Sequence, residues 1–91
     1  MAEPPLVVKI QLGPRCISFP GEHALIGVTG FFVREIQLLA GTQVVVQFCR
    51  GRDKVSVAGT VYAHYAGLGL SVEFQKSSGL AVQRLAALLA A

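Results

Sequence analysis

A chain of 91 residues that is 53% hydrophobic and 14% charged holds one hydrophobic core and is too apolar to stay disordered. Its net charge of +3, eight Lys and Arg against five Asp and Glu, does not mark a nucleic-acid-binding domain by composition alone. No apolar stretch reaches the roughly 20 residues of a membrane-spanning helix, and Met-Ala-Glu-Pro-Pro lacks the basic and apolar segments of a secretory leader, so the expected location is the cytoplasm.

Residues 1–5 read as a polar, proline-containing tail ahead of one domain over 6–91. From Leu6, Val8, Ile10 and Leu12 alternate with Val7, Lys9 and Gln11, the two-residue period of a strand with one face inward. Gly13-Pro14 ends it, and Arg15 to Phe19 forms a second strand candidate before the turn signal Pro20-Gly21. Ala24 to Val28 leads to Thr29-Gly30, where glycine permits a positive φ or a bulge. In the run Phe31 to Glu35 the two adjacent phenylalanines must point to opposite faces, so one is core and the other lies outside or beneath the terminal helix.

Gln37 to Gly41 is a connection, and Thr42 to Cys49 is rich in β-branched residues. Arg50-Gly51-Arg52-Asp53 reads as a hairpin tip, with Lys54 opening a return strand to about Tyr62. Gly67 and Gly69 bracket the last turn before a final strand at Leu70 to Phe74. The period then changes to 3.6: Ser77 or Ser78 can cap a helix over 77–91 in which Ala81, Val82, Leu85, Leu88 and Leu89 share one stripe. A succession of strands closed by one helix predicts a mainly β fold, a six-stranded antiparallel β-barrel with a C-terminal α-helix.

Catalytic signals are absent from the sequence. His23 and His64 are the only histidines, Asp53 is the only aspartate, and no spacing typical of hydrolases, zinc proteases or phosphate loops occurs, so no enzyme activity is expected. Cys16 and Cys49 stand far apart without metal or redox spacing and read as small core hydrophobes, and no metal is expected.

The runs G-V-T-G-F-F-V, L-L-A-G-T-Q-V-V-V-Q-F, V-S-V-A-G-T-V-Y and G-L-G-L-S-V-E-F, in that order, resemble the PilZ family of small β-barrels. Many members bind the bacterial second messenger cyclic di-GMP through an R-x-x-x-R segment near the first strand and a later [D/N]-x-S-x-x-G segment. Guanidinium groups pair with the guanine edge and phosphate, while the short acidic or amide side chain accepts from the base. Aligned on Gly30, the second segment has Leu25 in place of Asp or Asn and Gly27 in place of Ser. Lys9 and Arg15 are the only basic residues before Gly30 and are six positions apart, and a lysine lacks the planar fork.

The resemblance therefore implies a bacterial regulatory or interaction module that keeps the barrel and does not hold cyclic di-GMP in the usual way, with no cofactor. A cyclic di-GMP receptor of altered geometry, drawing on Lys9, Arg15, Gly30 and Arg34 or on the Arg50 tip, is the alternative. A small basic barrel binding nucleic acid is the third, weakened because no aromatics interleave with the basic residues. For a protein partner, the candidate contacts are Arg50, Arg52 and Lys54 at the tip and Leu80, Gln83, Arg84 and Ala87 on the exposed helix face, which also offers a route to a homodimer. The tip charges have a purely structural reading too, since they keep a sheet edge from pairing with other chains.

Overall fold

The computed structural model describes residues 4–34 and 36–90, apart from the side chain of Ser77. Most of the expected tail, Glu35 at the end of the fourth run, the Ser77 cap and Ala91 lie outside the described residues. Among the described residues, seven strands precede the helix: β1 (Leu6–Leu12), β2 (Arg15–Pro20), β3 (Ala24–Ile26), β4 (Gly30–Arg34), β5 (Gln43–Arg50), β6 (Asp53–Tyr65) and β7 (Gly69–Phe74). A 3-10 turn at Lys76–Ser78 leads into α1 (Gly79–Ala90).

The strands form one antiparallel sheet in the order β2-β1-β5-β6-β7-β4-β3. It curls into a half-barrel whose outer strands are β2 and β3, in place of the expected closed six-stranded barrel. The seventh strand arises at Gly27–Thr29. There the Gly27 N–H donates to the Gly30 carbonyl at 2.8 Å, folding Ala24–Ile26 back onto Phe31–Val33 as a hairpin where a positive φ or a bulge was expected at Gly30.

Alternation along each strand builds the core. Ile17, Ile10, Val46 and Val57 stand side by side across four strands, as do Phe19, Val8, Phe48 and Val55, and then Val61, Val72, Phe31 and Ile26. Phe31 and Phe74 each pack against Phe48 with centroids about 6 Å apart and rings nearly perpendicular, the edge-to-face geometry aromatic quadrupoles favour. Phe32 points to the opposite face and sits 6.1 Å from Tyr65. By the same alternation Cys16 faces outward beside inward Ile17 and Phe19, so it is exposed and not a core residue; Cys49 is half-buried. Leu85 and Leu88 of α1 are buried in the core cluster, with Ala81, Val82 and Leu89 packed partly against it. Burial of that order contributes about 1.5–3 kcal/mol per leucine and ties the helix to the sheet. No helix of the structure is long and apolar enough to cross a membrane.

Candidate functional site

Two surfaces carry the residues singled out in the sequence. The first lies over β4 and β7. Gly30 stands opposite Glu73 at one end of this ladder, and Gly69 stands opposite Arg34 at the other. A Cβ on Gly30 would overlap the Val72 carbonyl oxygen, and one on Gly69 would overlap that of Val33. Gly30 is absent from the positive-φ glycines, so close backbone approach, and not the expected φ, is what requires glycine there.

Beside Gly30 a depression of about 320 Å³ is lined by Leu25, Phe32 and Tyr62 among others. An adjoining one of about 260 Å³ shares Leu25 and Phe32 and adds Glu22, His23 and Arg34. Leu25, at the position where the resembling family places an acceptor, is 76% exposed and offers the groove only methyl groups. Tyr62 reaches this outward face by the alternation that buries Val57, Gly59 and Val61, and is 65% exposed. The irregularity that follows, with Val61 opposite Val72 and Ala63 opposite Ser71, puts Tyr65 opposite Gly69 and beside Phe32.

The four expected ligand residues do not come together. Gly30 and Arg34 share β4 and line neighbouring depressions. Lys9 stands in β1 between Ser18 of β2 and Gln47 of β5, and Arg15 opens β2 opposite Leu12. Three whole strands, β5, β6 and β7, intervene between β1 and β4 in the sheet.

The second surface joins the hairpin tip to the helix. Gly51 has φ +61° at the first position of a two-residue turn between Arg50 and Asp53, the placement a type II′ hairpin requires. Arg50 follows the inward alternation of Val46 and Phe48, is half-buried with its Nε shielded from solvent, and is not without a partner. It is thus not a member of an open basic tip as expected. Arg52 and Lys54 remain exposed, and with Asp53, Val55, Arg84, Ala87 and Leu88 they surround a cleft of about 570 Å³. Tip and helix residues read separately in the sequence therefore meet. Leu80 and Gln83 lie on the same helix stripe as Arg84 and Ala87 and stay exposed, outside the cleft.

The aromatic face of Phe32, Tyr62 and Tyr65 is the feature that sequence reasoning missed. Alternation along Val57 to Val61 signals that Tyr62 points outward, but nothing in the sequence locates the irregularity after Val61 that brings Tyr65 to the same face. Among the described residues no group of three or more His, Cys, Asp or Glu is placed to hold a metal ion. No family model, no curated protein and no solved structure matches the chain.

Proposed function

We propose that this domain is a PilZ-like regulatory interaction module, non-enzymatic, that does not hold cyclic di-GMP by the family's usual set of contacts. The observation that carries the reading is the groove beside Gly30, where Leu25 presents no acceptor and neither Lys9 nor Arg15 is on a neighbouring strand. Hydrogen bonds to charged groups contribute about 1.5–3 kcal/mol each. Loss of three removes at least about 4.5 kcal/mol, roughly three decades of affinity. The retained Gly30 does not argue against this, because the approach of β4 to β7 requires it whether or not a ligand binds.

Calorimetry and thermal melting with cyclic di-GMP at about ten times the dissociation constants typical of micromolar ligands test the reading. It expects no heat and no rise in Tm; a ligand at about ten times its Kd would add roughly 1.4 kcal/mol of stability, and a clear upward shift overturns it. One placement favours the altered-geometry receptor: Arg34 and His23 line the depression that adjoins the one beside Gly30. On that alternative a shift appears and Arg34→Ala removes it.

A further inference from the structure

Resting on the reading of the domain as an interaction module, we infer that the cleft between the β5–β6 tip and α1 takes a short acidic and aliphatic segment of a partner protein. Carboxylates of that segment face Arg52, Lys54 and Arg84, and an aliphatic side chain lies on Val55, Ala87 and Leu88.

Charge complementarity selects this occupant. Among the described residues, three cations from elements about thirty positions apart in sequence converge on one concavity against a single carboxylate, Asp53. Arg50, which the fold engages, is not among the residues lining it. Three like charges facing one counter-charge still repel on balance, so the arrangement is relieved when further acidic groups enter. Its floor is apolar: Val55 and Leu88 are each 7% exposed, and Ala87 is open to solvent. At about 570 Å³ the cleft exceeds what one small anion fills and falls in the range of sites that hold several side chains.

The same lining disfavours nucleic acid. No aromatic ring borders the cleft, so a base has no surface on which to stack. A peptide suits it better, since an Asp53 carboxylate accepts from peptide N–H groups. Exposed ion pairs each add little, so the expected complex is weak, salt-sensitive and selected by the combination of charge with aliphatic contact.

The test is an NMR titration of the full chain with a blocked octapeptide, Glu-Glu-Leu-Leu repeated twice, compared with octaglutamate and an eight-nucleotide oligo(dT). The expected result is saturable amide shifts centred on residues 52–55 and 84–88, with octaglutamate at least tenfold weaker. Arg52→Glu with Arg84→Glu should weaken the peptide at least tenfold at unchanged Tm. Should that pair unfold the protein, the neutral pair Arg52→Gln with Arg84→Gln provides the measurement, with at least threefold weakening expected. Absence of saturable shifts, shifts centred on Phe32 and Tyr62, insensitivity to these substitutions, or oligo(dT) binding the cleft as tightly as the peptide each overturns the proposal. A failed peptide titration beside a silent cyclic di-GMP titration removes this cleft and leaves the interaction-module reading standing. Heat from cyclic di-GMP removes that reading, while a saturable, charge-sensitive peptide titration stands on its own.

Discussion

The β4–β7 ladder and the tip–helix cleft differ in what the fold demands of them. At Gly30 and Gly69 the backbones of neighbouring strands approach so closely that any side chain would collide with a carbonyl oxygen. Close backbone approach, joined at Gly69 by a φ of +151°, accounts for both glycines, and their presence carries no information about a ligand. Arg52 and Lys54 are exposed residues at a two-residue turn, and Arg84 is exposed on α1. The turn is made by Gly51 and the helix is held by Leu85 and Leu88, so the fold does not dictate these three charges. A residue that packing requires is weak ground for a functional argument, and a cluster that packing leaves free is stronger ground.

Substitution can break or sharpen this contrast. The largest effect is expected from Gly30→Ala, which must force β4 away from β7 and cost at least about 3 kcal/mol, read as a drop in the urea midpoint. A Gly30→Ala variant of near-native stability would return that glycine to the list of candidate ligand residues. Next, Leu85→Ala removes the most deeply buried helix side chain and is expected to cost about 2–4 kcal/mol, enough to release α1 as seen by circular dichroism. An intermediate effect separates the tip residues from one another. Arg50→Gln should cost about 1–2 kcal/mol because it disturbs a partnered, half-buried group, whereas Arg52→Gln with Lys54→Gln should stay within about 0.5 kcal/mol. Equal costs in thermal melts would erase the distinction drawn between inward Arg50 and its neighbours. Smallest of all, Leu25→Asn with Gly27→Ser rebuilds the missing acceptor and hydroxyl at exposed positions and should change stability by less than about 0.5 kcal/mol. Calorimetry should still register no cyclic di-GMP binding, since the paired arginines remain absent; heat in this variant would show that the acceptor alone was limiting.

Several expectations held because they rested on local periodicity. One set of the first strand faces inward, which the structure shows to be Val8 and Ile10; one of the two adjacent phenylalanines, Phe31, is core while the other is not; the tip falls at Gly51-Arg52, and the stripe of Leu85 and Leu88 docks. Others failed where a pattern has two geometrical solutions. The segment from Gly27 to Gly30 is compatible with a bulge or a hairpin, and the 2.8 Å hydrogen bond across it selects the hairpin, adding a strand. Cys16 sits in an apolar-looking run, yet its parity places it outward on an edge strand. Of the candidate site residues, Arg52, Lys54, Arg84 and Ala87 were legible one by one; that they border one cleft was not.

Sequence alone determined the alternation of strands, the glycine-bearing turns and the switch to a 3.6-residue period before α1, because each depends on side-chain spacing within a few residues. Only the tertiary structure decided that the sheet ends at β2 and β3 without closing, that an extra residue in β6 brings Tyr65 beside Phe32, that Arg50 points inward, and that residues 52–55 meet residues 84–88. These outcomes depend on which strands pair and in what register, and a shift of one residue in pairing reverses the face of every side chain beyond it.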